Sequence, residues 1–326
     1  RFILADTPGH VQYTRNMVTG ASTADLAVIL VDARNGVVEQ TRRHAAVAAL
    51  LRVPHIVLAV NKMDLVGYTE ERFDRIVTQF TSYADELGLP GCTPIPVSAL
   101  VGDNVVDPST HMDWYGGPAL LDHLENVPVG GDPADAPTRF PVQYVIRHDG
   151  VRHYAGQLVS GSLRVGDRVT VQPSGETSEI TGIDVLGTAA PAAYAPQSIS
   201  VRLADQRDVS RGDMLTAGVD TPALTQDVHA SVCHLTDRPL RPGDRVLVKH
   251  TTRTVKAVVK DLGGAAELAA NDLGRITLRT AEPLALDDYA VSRRTGAFLL
   301  VDPADGSTLT AGMAEVAAER EVNFPV

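Results

Sequence analysis

The sequence predicts an α/β domain followed by two antiparallel β-barrels, and three observations carry this prediction. Short apolar runs alternate with helical stretches in the first part of the chain. A linker rich in proline, glycine and aspartate, residues 129–137, ends that pattern. Beyond it, short alternating runs are separated by Gly-Asp and Pro-Ser-Gly turns. The first pattern is typical of a parallel sheet covered on both faces, and the second of small antiparallel barrels.

Each element follows from its own run of residues. Apolar runs predict the strands of the parallel sheet at residues 2–5, 26–31, 56–60 and 92–97. Helices are predicted at residues 11–19, 40–51, 70–87 and 118–125. Barrel strands are predicted at residues 157–159, 168–171, 198–203, 228–235, 245–250, 254–261 and 273–278. With a second break at residues 218–222, we expect domains at residues 1–128, 138–218 and 223–316, and a tail or linker at 317–326.

Composition limits the class of protein. A chain of 326 residues fits two or three domains, and 44% hydrophobic with 21% charged residues is ordinary for a globular protein. The formal charge of −11 argues against a large non-specific grip on nucleic acid. Cys92 and Cys233 form neither a disulfide framework nor a zinc spacing, which favours a reducing cytoplasm. No signal peptide and no apolar run of membrane-spanning length is recognised, so no membrane partner is expected.

The first candidate site is Asp6-Thr7-Pro8-Gly9-His10, at the predicted end of the first strand. An acidic side chain at the carboxyl end of a strand can hold Mg²⁺ through water. Gly9 has no side chain, so its backbone N–H can approach a terminal phosphate closely. His10 then stands where an attacking water must be oriented, which makes it the candidate catalytic residue. The alternative for this motif alone is a strand-to-loop turn.

The second candidate site is Asn61-Lys62-Met63-Asp64, directly after an apolar strand. Guanine presents two donors side by side, N1–H and the N2 amine, and one carboxylate accepts both, whereas adenine cannot offer that pair. Asp64 is therefore the expected base reader, and Lys62 can lay its aliphatic stem across the base. Asn61 can brace neighbouring loops through its amide. The alternative is a residue that only caps a helix.

The third candidate site is Ser98-Ala99-Leu100, after the next strand. Small residues here leave backbone N–H groups able to donate to the guanine O6, although the triplet alone is simply a strand end. All three sites fall at the carboxyl ends of predicted parallel strands, where ligands bind in open α/β sheets. Their order, Asp-x-x-Gly, Asn-Lys-x-Asp and Ser-Ala, is the order of GTPases. We therefore interpret the first domain as a GTPase domain.

The chain resembles the elongation-factor-type GTPases, and most of all the GTPase (large) subunits of bacterial sulfate adenylyltransferases. The resemblance covers nearly the whole chain. Its segments in the first domain are DTPGHVQYTRNMVTGASTADLAVILVDARNG (6–36), QTRRH (40–44), VNKMDLV (60–66), VSALVGDNVV (97–106) and WYGGPALLDHLE (114–125). Two more lie in the first barrel, PVQYVIR (141–147) and SRGDML (210–215). The early segments are shared with translation factors, while WYGGPALLDHLE and SRGDML favour the sulfate enzyme.

The resemblance implies a function and a set of site residues. In that family the GTPase subunit pairs, as a heterodimer or larger assembly, with a small catalytic ATP sulfurylase subunit. The small subunit forms adenosine 5′-phosphosulfate and pyrophosphate from ATP and sulfate, and GTP hydrolysis drives this uphill step. A fused or associated adenylylsulfate kinase is a further implied partner. The family's GTP-binding motifs fall on residues 6–10, 61–64 and 98–100, with Leu100 where many GTPases carry lysine. GTP and Mg²⁺ are the implied cofactors.

One family element is not found in the sequence. No G-x-x-x-x-G-K-[ST] motif occurs in the 326 residues, and no switch I threonine can be placed before Asp6. These elements contact the β- and γ-phosphates and ligate Mg²⁺ directly. We therefore expect an N-terminally incomplete P-loop-type GTPase domain, a fragment of a longer protein that holds GTP poorly. We also expect its sheet to show a gap or a borrowed strand beside residues 26–31.

Two other functions remain open. The chain could be a translation elongation factor that binds aminoacyl-tRNA, or a scaffold without catalysis. The net charge and the WYGGPALLDHLE segment favour the sulfate enzyme. The helix at residues 11–19 and the first barrel are the expected partner surface. A run of basic residues in the second barrel could face an acidic partner, although a solvated barrel surface explains it as well: Arg241, Arg245, Lys249, Arg253, Lys256 and Lys260.

Overall fold

The computed structural model describes residues 2–6, 14–148 and 150–316, which fall into two compact units. The first unit runs to Gly130 and the second begins at Gly131. The first unit contains α1 (Thr14–Ala21), β1 (Leu26–Asp32), α2 (Glu39–Leu50), β2 (His55–Asn61), α3 (Glu70–Glu86), β3 (Cys92–Pro96) and α4 (Leu120–Asn126). From β1 onward these bounds lie within two residues of the predicted ones. The predicted helix at 11–19 is described only from Thr14, and the predicted tail at 317–326 lies outside the described residues.

The three strands of the first unit form a parallel sheet in the order β1-β2-β3. The central strand β2 is buried at every position from Ile56 to Val60, as expected for a strand covered on both faces. The register sets Asp32 beside Asn61 and Val60 beside Pro96. The carboxyl ends of all three strands therefore meet at one edge of the sheet.

The predicted strand at residues 2–5 is wrong. Phe2, Ile3 and Leu4 lie in coil with exposed side chains, and Ile3 is 98% exposed. A strand is stable only where a neighbour takes up its backbone hydrogen bonds, and no described strand pairs with this segment. Within the described residues β1 is paired on one side only, and its Val28 and Leu30 are exposed. Like β3, β1 is thus an edge strand of the described sheet, and its exposed apolar side chains lie where the sequence predicts a gap.

The second unit begins with a curved half-barrel. Its strands are β4 (Thr138–Pro141), β5 (Tyr144–His148), β6 (Val151–Gln157), β7 (Ser162–Arg164), β8 (Arg168–Gln172), β9 (Glu176–Val185), β10 (Thr188–Ala190), β11 (Ala192–Tyr194), β12 (Ser198–Leu203) and β13 (Met214–Ala217). They run β4-β13-β8-β9-β12-β6-β5, with β10 on β9 and a separate β11-β7 pair. One apolar core, which includes Phe140, Tyr154 and Leu215, fills the curve. The first predicted barrel is therefore an open sheet curled around a core.

The predicted strand at residues 157–159 is also wrong. β6 ends at Gln157, and the next residues pass from one part of the sheet to another. Leu158 is fully buried and donates its N–H to Gln197 O at 2.9 Å, while Val159 N donates to Arg139 O at 2.9 Å. The apolar run thus reflects burial in a crossing segment, which cannot be told from a strand by pattern alone.

The remaining strands close into a barrel: β14 (Ala223–His234), β15 (Arg245–His250), β16 (Arg253–Asp261), β17 (Leu273–Leu286), β18 (Ala297–Val301) and β19 (Thr308–Ala314). Their order is β14-β17-β16-β15-β18-β19. Alternate residues of β15, Val246, Val248 and His250, are buried. His250 is 2% exposed, and its imidazole contacts Thr295 O at 2.7 Å. Burial lowers the pKa of His250 below its ordinary value. None of the described helices is long and apolar enough to cross a membrane.

A buried ion pair ties the half-barrel to the closed barrel. Arg139 of β4 is 3% exposed and donates from Nε and Nη2 to the two carboxylate oxygens of Asp287, at 2.9 and 2.8 Å. Asp287 also accepts from Thr295 Oγ1 at 2.5 Å, and Arg139 Nη1 donates to Asp220 O at 2.9 Å. The paired geometry and the added donors compensate for the desolvation of both charges.

We expect Arg139→Ala to lower the free energy of unfolding of the second unit by about 3–5 kcal/mol, because Asp287 is left buried without its cation. Urea unfolding measures the loss. The matched control is Arg241→Ala, whose ion pair with Glu267 is largely exposed and should contribute less than about 1 kcal/mol. Equal losses for the two variants would contradict the assignment.

His250 gives a pH dependence of known sign. Because its folded pKa lies below the unfolded value of about 6.5, the unfolded chain binds the proton first as pH falls. The free energy of unfolding should therefore decrease from pH 7 to pH 5, and His250→Gln should flatten that slope. Urea unfolding at several pH values tests this, with His229→Gln, at an exposed site of the same barrel, as control. A slope unchanged by His250→Gln would refute the prediction.

Candidate nucleotide-binding site

Asn61, the last residue of β2, joins two of the three predicted motifs. Its Oδ1 accepts hydrogen bonds from the backbone N–H of Lys62 at 2.7 Å and of Ala99 at 3.0 Å. Lys62 adopts a left-handed backbone conformation, with φ of 67°. The chain therefore turns sharply at the end of β2, and the turn is held against the loop that follows β3. The bracing role predicted for the Asn61 amide is what the geometry shows.

The expected base reader, Asp64, is held by the third motif. Ser98 is fully buried, and its Oγ donates to Asp64 Oδ1 at 2.6 Å. Met63 is also fully buried and donates its N–H to Val97 O at 3.2 Å, so its side chain packs in the core. Leu100 is 89% exposed. The structure thus brings residues 61–64 together with residues 98 and 99 and fixes the direction of one carboxylate.

Asp32 at the end of β1 is a site residue that the sequence analysis missed. Lys62 Nζ donates to Asp32 Oδ2 at 2.9 Å, and Arg34 Nη2 contacts the same oxygen at 2.6 Å. The hydrogen bond from Arg34 is the largest influence, and with that from Lys62 it holds the pKa of Asp32 well below its usual range despite partial burial. The register of β1 and β2, which places Asp32 beside Asn61, is the feature that could have identified Asp32.

The first motif is only partly described. Asp6 lies exposed in coil, while Thr7, Pro8, Gly9 and His10 lie outside the described residues. Among the described residues there is no group of three or more His, Cys, Asp or Glu side chains that could hold a metal ion. The predicted role of Asp6, to hold Mg²⁺ through water, therefore stays a prediction.

A second layer of side chains braces the loops of the site. Asn104 is buried, donates from Nδ2 to Pro96 O at 2.9 Å and accepts from Ser109 N at 2.7 Å. The rings of Tyr68 and His111 stack with centroids 4.8 Å apart. Trp114 Nε1 donates to Tyr68 O at 2.9 Å. Trp114 of the WYGGPALLDHLE segment therefore supports the loop after Asp64.

Comparison with known proteins gives the class of the two units. Residues 1–129 match the family described as elongation factor Tu GTP binding domain, and residues 227–315 match the GTP-eEF1A C-terminal domain-like family. A crystal structure of sup35 complexed with GDP shares the fold, with a TM-score of 0.54 and 24% identity. That match covers 93% of this chain and 81% of the other. The predicted architecture is confirmed as a GTPase-type domain followed by a half-barrel sheet and a closed β-barrel.

The curated relatives define the particular family. The chain is 42% identical to sulfate adenylyltransferase subunit 1 of Bacteroides fragilis (strain YCH46), over 96% of its own length and 68% of that protein. It is 50% identical to the bifunctional enzyme CysN/CysC of Mycobacterium tuberculosis (strain ATCC 25618 / H37Rv), over 96% of its length and 54% of that protein. The chain belongs to the sulfate adenylyltransferase subunit 1 family, which confirms the resemblance. It spans about half the length of the first curated relatives it matches.

The bridge made by Asn61 predicts a local change in amide exchange. Asn61→Ala removes the acceptor of the Lys62 and Ala99 N–H groups, so both amides should exchange with solvent at least about tenfold faster. Hydrogen–deuterium exchange followed by NMR or mass spectrometry measures this. The control is Asn126→Ala in α4, whose side chain bonds only to Asp122 among the described residues. Unchanged exchange at Ala99 in the Asn61 variant would show that the bridge is not formed.

Proposed function

We propose that the chain is the GTP-hydrolysing subunit of a cytoplasmic sulfate adenylyltransferase. It would couple GTP hydrolysis to the formation of adenosine 5′-phosphosulfate and pyrophosphate from ATP and sulfate. The observation that carries the proposal is the joint geometry of two motifs in a member of this family: Asn61 bridges both loops, and Ser98 orients Asp64. Such a fixed carboxylate suits the paired donors of guanine.

The site residues have separate roles in this proposal. Asp64 accepts from N1–H and the N2 amine of guanine, and a base there lies beside the stem of Lys62. The backbone of residues 98–100 faces O6. Asp6 binds Mg²⁺ through water, and His10 orients the attacking water. Since the described residues supply no further metal ligands, the phosphate end of the site rests on the family resemblance, whereas the base end rests on contacts within the chain.

The partner in this proposal is the small ATP sulfurylase subunit. A relative from Mycobacterium tuberculosis carries the name bifunctional enzyme CysN/CysC, and one from Rhizobium sp. (strain N33) the name bifunctional enzyme NodQ. Their bifunctional names support a fused or associated adenylylsulfate kinase as a second partner. The domain boundaries that we propose remain 1–128, 138–218 and 223–316. A translation factor that binds aminoacyl-tRNA is the second candidate, and the subunit 1 relatives favour the first.

The proposal is tested by exchanging the base that Asp64 reads. Xanthine carries a carbonyl where guanine has the N2 amine, so an asparagine amide can donate where the carboxylate accepted. In the full-length protein with its small subunit, Asp64→Asn should lower GTP-driven synthesis of adenosine 5′-phosphosulfate at least about a hundredfold and restore it with xanthosine triphosphate. Product formation is measured by pyrophosphate release.

Asp122→Asn removes one exposed carboxylate of α4 and serves as the charge-matched control. It should leave the GTP-driven rate unchanged. Synthesis that proceeds at the same rate without GTP would contradict the coupling function. Stable binding of aminoacyl-tRNA without a small subunit would favour the translation-factor candidate.

A further inference from the structure

Lysine is rare in this chain and unevenly distributed. Only four lysines occur among 29 basic residues, so arginine is the usual cation. Lys62 belongs to the nucleotide site, and the other three, Lys249, Lys256 and Lys260, lie on the adjacent strands β15 and β16. A lysine ammonium is a compact, strongly hydrated point charge on a flexible stem, unlike the planar guanidinium. The presence of lysine rather than arginine on β15 and β16 therefore needs a physical explanation.

These lysines share one outer face of the barrel. The register sets Lys256 opposite Leu247, Lys249 opposite Thr254 and Arg245 opposite Val258. All three lysines and Arg245 are exposed, while the alternate residues of both strands point into the core. Diagonal neighbours on paired strands lie about 7–8 Å apart. Arg245, Lys249, Lys256 and Lys260 therefore form one patch, which we call the basic face.

The basic face is not neutralised within the chain. None of its four cations forms an ion pair with a described residue, whereas other arginines of the same barrel do: Arg238 with Asp302, Arg241 with Glu267, Arg253 with Asp213 and Glu282, and Arg279 with Asp227. The acidic residue of β16, Asp261, binds the backbone N–H of Gly263 at 2.7 Å. Like charges this close to each other destabilise the folded barrel. A face that only had to be solvated could carry both acidic and basic side chains, as the rest of this barrel does.

Apolar side chains lie among the cations. Leu247 and Val258 are half-buried between them, and exposed Leu299 of β18 stands opposite Lys249. Single-stranded nucleic acid stacks on aromatic rings, whereas the polar rim of a protein interface accommodates cations beside aliphatic groups. No aromatic residue occurs in β15 or β16. The net charge of −11 also repels nucleic acid.

We propose that the basic face docks an acidic surface of the small catalytic subunit. This inference rests on the proposed function, and it places a partner contact on the closed barrel. The unpaired ammonium groups steer an acidic partner during association, and the aliphatic groups supply contact area once it is bound. Lysine suits this role because it can follow a carboxylate without the fixed geometry that a guanidinium prefers.

The test compares variants of the full-length protein for binding to the small subunit by biolayer interferometry, at about 0.05 and 0.3 M salt. We expect Lys249→Glu with Lys256→Glu to weaken binding at least about tenfold at low salt, mainly through the association rate. Lys249→Arg with Lys256→Arg keeps the charge and should remain within about threefold of the parent protein. Arg52→Glu with Arg75→Glu, at exposed sites of the first unit, changes the net charge by the same amount and should have little effect.

The outcomes separate the inference from the proposed function. If the parent protein and both glutamate variants bind the small subunit equally, the docking face is wrong while the proposed function stands. An equal loss in both glutamate variants also overturns it, since total charge then explains the effect. If the parent protein does not bind the small subunit at all, both proposals fail. Binding of an RNA duplex that the Lys249/Lys256 variant loses would replace the protein partner with nucleic acid.

Discussion

The nucleotide site depends on a single acceptor, the side-chain oxygen of Asn61. It receives two backbone N–H groups from loops that follow different strands, and so fixes one loop relative to the other. Its own position is set by β2, the buried central strand, whose register with both neighbours brings the three strand ends to one edge. The carboxylate of Asp64 is oriented only because the Ser98 loop is held in place. The direction of this carboxylate is in this way a consequence of strand register.

The strands of the parallel sheet and the motifs at their ends can largely be predicted from the sequence, because continuous apolar runs and the motifs after them are local signals. β1, β2 and β3, and the helices between them, agree with their predicted bounds for that reason. The contact between Lys62 and Asp32 was not predictable in the same way, since it arises from pairing between residues thirty positions apart. A strand is predicted around residue 158 because Leu158 is apolar, but this residue is buried without belonging to a strand. A strand is predicted at residues 2–5 because they are apolar, but no described strand pairs with them. Whether a curved sheet closes into a barrel is also a property of pairing.

The two halves of the second unit handle charge in different ways. Where they meet, Arg139 and Asp287 are removed from water and satisfied by each other and by neighbouring donors. On the outside of the closed barrel, several arginines are paired with carboxylates at the surface, whereas no described residue forms an ion pair with a cation of the basic face. The buried ion pair therefore connects the two halves of the unit, whereas the exposed cations create a positive electrostatic potential on one outer face.

The backbone conformation of Lys62 has an evolutionary consequence. At a φ of 67° a residue with a Cβ is strained, and glycine or asparagine would occupy the position at lower energy. Selection for stability and selection for the ammonium group that contacts Asp32 therefore favour different residues at the same position. A lineage that lost nucleotide binding would be free to replace this lysine with glycine and gain stability. Under the role proposed for Lys62, the residue at position 62 thus indicates whether the site is still under selection for nucleotide binding.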